Sequence, residues 1–130
     1  MKHKHIVEHG MKHSIKTYKF FFGALANPNR LQIINALREG KKNVGEICQA
    51  TSFEQTMVSH NLKILELHGM VFMEKVGKYR YYRVNQKTIK PLLEFIDAHM
   101  EEYCCKILEK NEEKNKMLEK KNEPKHRHEH

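Results

Sequence analysis

The chain has 130 residues, enough for one domain with tails and for a core that needs no disulfide or metal staple. Its 24 Lys and Arg against 16 Asp and Glu give a formal charge of +8, which favours an acidic partner such as nucleic acid or a membrane surface. No apolar stretch approaches the ~18–20 residues of a membrane span. The three cysteines form neither a disulfide framework nor a CxxC knuckle.

The apolar run 20–26 follows Lys16 and Lys19 but is too short and too far into the chain for an export signal. A buried helix face in a protein of the reducing cytoplasm is the simpler reading. No Gly-rich phosphate loop and no nucleophile–base pair is proposed from spacing, so the chain reads as non-enzymatic.

Composition divides the chain in three. Residues 1–13 form a His-rich N-terminal tail, and residues 111–130 a charged C-terminal tail that extends the last helix to about Lys121 and ends His-rich. Seven of the ten histidines lie in these tails. Residues 14–110 form the folded unit. Within it, residues 75–90 hold six basic side chains and no acid, whereas 91–110 hold five acids and two bases.

In chain order, residues 14–26 predict a helix with Ile15, Tyr18, Phe21, Phe22 and Leu25 on one side. Asn27 caps a second helix with Pro28 at its first position, running to about Glu39 with Leu31, Ile34 and Leu37 buried, and ended by Gly40. Lys41 and Lys42 form a turn, and Asn43 caps a short helix from Val44 to Ala50 whose Val44, Ile47 and Cys48 are available to the core.

The pattern Ser52-Phe53-Glu54-Gln55 predicts a capping box that starts the next helix, which runs to about Leu67 and closes at His68-Gly69. Helical spacing gathers Gln55, Thr56, Ser59, His60 and Lys63 within about 140° of arc and sets Val58, Leu62 and Leu65 apart from them. Two short helices joined by a tight turn outline a helix-turn-helix. The outward residue types match major-groove edges: Gln pairs with adenine, Lys donates to guanine, Ser and Thr donate or accept. An ordinary amphipathic surface helix shows the same pattern.

The next segment separates the two readings. Val71–Glu74 and Tyr79–Val84 predict two strands joined through Lys75-Val76-Gly77-Lys78. Lys75, Lys78 and Arg80 charge the tip, and Tyr79, Tyr81 and Tyr82 alternate with Arg80 and Arg83. A basic hairpin after a helix-turn-helix predicts a winged helix, in which the helix reads bases and the wing neutralises phosphates. The fold class is therefore mainly α with a small β-hairpin.

From Thr88 a long helix is predicted, with Pro91 tolerated in its first turn. Ile89, Leu93, Ile96, Met100, Tyr103 and Ile107 step by 4 and 3 into a coiled-coil-like seam. The seam packs either on residues 14–26 or on a second copy. The dimer interface it predicts comprises Tyr18, Phe22, Leu93, Ile96, Met100, Tyr103 and Ile107. A dimer would read two half-sites about one helical turn apart.

This order of elements resembles the ArsR/SmtB family of transcriptional repressors. The resemblance is carried by Leu25-Ala26-Asn27-Pro28-Asn29-Arg30-Leu31-Gln32-Ile33-Ile34, Val58-Ser59-His60-Asn61-Leu62-Lys63-Ile64-Leu65, His68-Gly69-Met70-Val71 and Gly77-Lys78-Tyr79-Arg80-Tyr81-Tyr82-Arg83-Val84. It implies a homodimer on a palindromic operator in double-stranded DNA, released by a small effector, often a metal ion. Family sites on the last helix combine D-x-H after the wing with H-x-x-E or H-x-x-H further on. Here His99-x-x-Glu102 matches the second pair, but Gln86-Lys87-Thr88 stands where the first belongs, and Lys87 would repel a cation. The family's arsenic-type site needs several thiols where this chain has Cys48 alone, and its thiol-switch position in the second helix is Asn35.

Cys104 and Cys105 follow closely on His99 and Glu102. They are either small core residues or part of a soft-metal or thiol-responsive site. The H-x-H spacing of His3 and His5, and of His126, His128 and His130, suits Zn, Ni, Co or Cu ions. A disordered tail that binds metal without consequence is the alternative. Three functions stay open: an effector-controlled repressor, a constitutive DNA-binding winged helix, and a metal-handling protein on the same scaffold.

Overall fold

The computed structural model describes residues 2–121, with side chains from Ser14 onward. Helix α1 spans Lys2–Leu25 and so begins well before the expected residue 14. His3 and His5 fall in this helix, but their side chains, like His126, His128 and His130, lie outside the described residues. Asn27 then leaves the helical region, and its side chain accepts from the Arg30 amide at 3.1 Å to cap α2, Pro28–Leu37. Pro28 at the first position forfeits an amide that no helical carbonyl would have used.

The buried stripe of α2 is Ile33, Ile34, Ala36 and Leu37, whereas Leu31 is 40% exposed. The expectation of a buried Leu31 fails by one helical step. Positions 30, 33, 34 and 37 share the inward face, and Leu31 is rotated about 100° from it.

Strand β1, Lys42–Asn43, replaces the expected simple turn and pairs with β3, which spans Tyr79–Val84. Asn43 ends β1 and caps α3, Val44–Thr51, with a full capping box. Its side chain accepts from the Glu46 amide at 2.8 Å, and the Glu46 carboxylate accepts from the Asn43 amide at 2.9 Å.

The capping box expected at Ser52 is absent. Ser52 sits in the left-handed region at φ 63° and closes α3, its amide donating to Cys48 O at 2.8 Å. Helix α3 runs one residue past the expected end, so Ser52 is consumed as its terminator. Glu54 becomes the N-cap of α4, Gln55–Leu67, without a side-chain cap bond. The Thr51 hydroxyl stiffens the short turn by donating to Ile47 O and accepting from the Phe53 amide.

Strand β2, Val71–Val76, pairs antiparallel with β3, and the sheet order is β1-β3-β2. The connection is shorter than the four residues expected. Only Gly77 and Lys78 lie between the strands, and Gly77 at φ 61° supplies the left-handed position such a turn requires.

Asn85 fastens the end of the hairpin. Its amide donates to Met70 O and its side chain to Gly69 O, while Oδ1 accepts from the Lys87 and Thr88 amides. Its carbonyl accepts from Ile89 and Lys90, the start of α5, Ile89–His99. Ile33, Ile34, Leu37, Ile47, Val58, Leu62, Leu65, Met70, Val71 and Ile89 are buried almost completely and form the core of this part of the chain.

The described residues divide into two units between Lys90 and Pro91. In the second, α5 passes into a π turn at Met100–Cys104 before α6, Cys105–Lys121. The expected unbroken seam is therefore interrupted. A π turn inserts one residue into the helical ladder, so Tyr103 and Ile107 do not continue the line of Leu93, Ile96 and Met100.

Candidate nucleic-acid interface

Helix α4 is divided by burial along its length. Val58, Asn61, Leu62 and Leu65 are buried, whereas Gln55, Thr56, Ser59, His60 and Lys63 are all exposed. The apolar stripe is consumed by the core, so the hydrogen-bonding face has only one direction left to point. Helix α3, the three-residue turn 52–54 and α4 together make the helix-turn-helix.

A polar residue on the buried stripe was not among the expected site residues. Asn61 is 5% exposed, and its Nδ2 donates to Met57 O at 2.9 Å. Its Oδ1 accepts from an Arg30 guanidinium nitrogen at 3.2 Å. The Arg30 Nε donates to Ala24 O at 2.6 Å, and its other terminal nitrogen reaches Gly23 O at 3.4 Å. One guanidinium thus joins the last carbonyls of α1 to the recognition helix. The signal was present in the sequence: an amide on the Val58-Leu62-Leu65 face must find buried partners.

The wing shows a pairing that stability alone would not select. Lys75 lies opposite Arg80 across the β2–β3 ladder, Lys78 sits in the turn, and Tyr79 follows it. Like charges in directly opposed positions repel. Lys75, Lys78, Tyr79 and Arg80 are all exposed. Lys78 lies over the Tyr79 ring at 5.5 Å and Arg83 over the Phe72 ring at 5.8 Å, contacts that orient cations without neutralising them. The nearest acid in the hairpin, Glu74, is met by Lys41 at 3.6 Å. A row of unneutralised cations beside a hydrogen-bonding helix is suited to a phosphate backbone.

The candidate metal residues are not brought together. Among the described residues no group of three or more His, Cys, Asp and Glu side chains could hold a metal ion. The His99 ring packs on Tyr103 at 5.1 Å, with Tyr103 in the π turn. Glu102 is exposed, while Cys104 and Cys105 are half-buried free thiols. The described side chains of one chain do not fit a transition-metal ion as they stand.

The candidate dimer residues are uncovered. Tyr18 and Phe22 on α1 are 62% and 50% exposed, and Tyr103 and Ile107 are 65% and 60% exposed. Ile96 is 39% exposed, and Leu93 and Met100 are half-buried.

The first unit is a winged helix-turn-helix. Residues 27–71 match the bacterial regulatory protein, arsR family. The arsenical resistance operon repressor of Bacillus subtilis is 31% identical over 99 residues, which cover 75% of this chain and 89% of the repressor. The HTH-type transcriptional regulator NmtR of Mycobacterium tuberculosis is 35% identical over 78 residues, 60% of this chain and 65% of NmtR.

Among solved structures, the homodimeric winged helix-turn-helix DNA-binding domain of Mb0332 from Mycobacterium bovis matches with a TM-score of 0.65 at 29% identity. The match covers 72% of this chain and 87% of that one. The chain belongs to the ArsR family. It spans 37% to 65% of the length of several curated relatives that it matches, NmtR included. No helix among the described residues is long and apolar enough to cross a membrane.

Proposed function

We propose that this protein is a cytoplasmic, sequence-specific transcriptional repressor that binds a palindromic operator in double-stranded DNA as a homodimer. One observation carries the reading. The exposed face of α4 is composed of groove-reading side chains, and the adjoining wing places Lys75 opposite Arg80 with no salt bridge to either among the described residues. In this reading Gln55, Thr56, Ser59, His60 and Lys63 contact base edges. Lys75, Lys78, Tyr79 and Arg80 hold the phosphates and fix the register of the helix in the groove.

The homodimeric Mb0332 domain supports the two-fold arrangement, as do exposed apolar side chains within each unit, Tyr18 and Phe22 in the first and Ile96, Tyr103 and Ile107 in the second. Selection of bound sequences from a random DNA library tests the proposal. An enriched inverted repeat is the expected result. Enrichment of no sequence would leave a non-specific DNA-binding winged helix, and no DNA binding at all would overturn the reading.

The likeness to an arsenical resistance operon repressor supports an effector-controlled protein. A Zn, Ni, Co or Cu effector would require ligands beyond His99, Glu102, Cys104 and Cys105. The N-terminal His3 and His5, or a second copy, are the sources this reading names. Metal content of the purified protein, with operator affinity measured with and without chelator, tests that requirement. Metal-free protein whose operator affinity is unchanged when Zn, Ni, Co or Cu is added refutes a metal effector and leaves the DNA reading standing.

A further inference from the structure

We propose that the groove between α1 and α4 binds a small organic anion with an aromatic or aliphatic body, and that its occupant acts on the recognition helix through Arg30. The second half of the proposal rests on the DNA-reading function. The first half does not.

The groove has a volume of about 640 Å³, within the roughly 300–1,000 Å³ of small-molecule sites. It is lined by apolar Phe20, Ala24 and Ile64 and by the polar side chains Lys16, Lys19, Arg30 and His68. Phe20 is 68% exposed although its ring packs on His68 at 4.4 Å, so one aromatic face remains open. Lys16 and Lys19 have no carboxylate partner among the described residues. An apolar lining beside ammonium groups that have no carboxylate partner among the described residues suits an apolar body with an anionic head. A second copy seated by two-fold symmetry would bring the same lysines together, which disfavours it as the occupant.

Gly23 supports a groove that is kept open. It lies inside α1, where glycine costs about 1 kcal/mol relative to alanine. A Cβ built there meets nothing within 4 Å, so packing among the described residues does not require glycine. The missing side chain leaves the wall clear where Arg30 enters. Arg30 also lines the groove while it holds Ala24 O and Asn61 Oδ1. An anion seated in the groove therefore lies against a guanidinium that bridges α1 and α4.

The test uses the full chain and 2-naphthoate, with 2-naphthalenemethanol as its neutral counterpart, followed by calorimetry. Naphthoate should bind saturably and about tenfold more tightly than the alcohol. Gly23→Leu, which fills open space, should weaken naphthoate by about tenfold while the circular dichroism spectrum stays native. Lys16→Ala and Lys19→Ala should each weaken it several-fold. Phe95→Ala, which removes an exposed ring outside the groove, should change nothing.

Equal affinity for acid and alcohol, or unchanged binding in a folded Gly23→Leu chain, would overturn the site. So would a Gly23→Leu chain whose oligomeric mass falls while naphthoate binding persists, because a second copy would then occupy the groove. Operator affinity is measured in parallel. Naphthoate bound without any change in that affinity would overturn the link through Arg30. Loss of operator binding by the unliganded wild-type chain would instead strike the DNA reading and leave the ligand site intact.

Discussion

Arg30 donates to Asn61 at 3.2 Å across thirty-one residues of chain. The contact is small, but it adds a directional bond to the rotation that burial of Val58, Leu62 and Leu65 already sets for the recognition helix. Asn61→Ala should lower stability by about 1–3 kcal/mol, because a partly buried guanidinium loses one of its three acceptors and the Met57 carbonyl loses its side-chain donor. Arg30→Ala should cost a similar amount, and the double variant should cost less than the sum of the two. Urea unfolding of the four proteins measures this, and strict additivity would show that the two side chains act independently.

The turn between α3 and α4 makes a prediction of opposite sign from its sequence pattern. Ser52 would lose stability on replacement if it capped α4. It instead terminates α3 at φ 63°. Ser52→Gly should therefore stabilise the protein by about 0.5–1 kcal/mol, since glycine reaches the left-handed region without a Cβ penalty. A fall in the thermal midpoint would contradict this.

Base reading and phosphate holding are separable. His60→Ala or Gln55→Ala should cost about 1–3 kcal/mol on the selected operator and little on random DNA. Fluorescence anisotropy on both duplexes is the measurement. Equal losses on the two would remove these residues from base recognition.

Lys78→Ala or Arg80→Ala should weaken binding to all sequences alike. Each should also reduce the slope of log affinity against log salt by about one. A slope that stays at its wild-type value would place the wing away from the backbone.

The proposed dimer would cover apolar side chains that one chain leaves exposed. Tyr18→Glu combined with Ile96→Glu places charge on two exposed candidate contacts. Sedimentation should then give the mass of one chain where the wild type gives two, and operator affinity should drop with it. A dimer that survives both changes would move the interface elsewhere.

Much of the interface was legible in the sequence because it depends on periodicity. Burying Val58, Leu62 and Leu65 dictates where Gln55, Ser59 and Lys63 point, and the charge run 75–90 needs no coordinates to be seen. The misplaced features depend on single residues with two plausible uses. Ser52 suits either end of a helix, and only the actual length of α3 decides between them. Strand β1 has two residues, too few for alternation to register. The π turn at Met100–Cys104 has no compositional sign, and it alone shifts the phase of the last helix. Asn61 is legible in principle, since an amide among buried aliphatic side chains demands partners.

The Lys75–Arg80 pairing has a thermodynamic consequence for the wing. In the free protein, added salt screens the repulsion between these two cations and steadies the hairpin. In a complex, the same salt competes for the phosphates that would otherwise do the screening. Ionic strength therefore acts on this hairpin with opposite signs in its two states. In the proposed complex DNA would supply the counter-charge, and the wing would be most relaxed when bound.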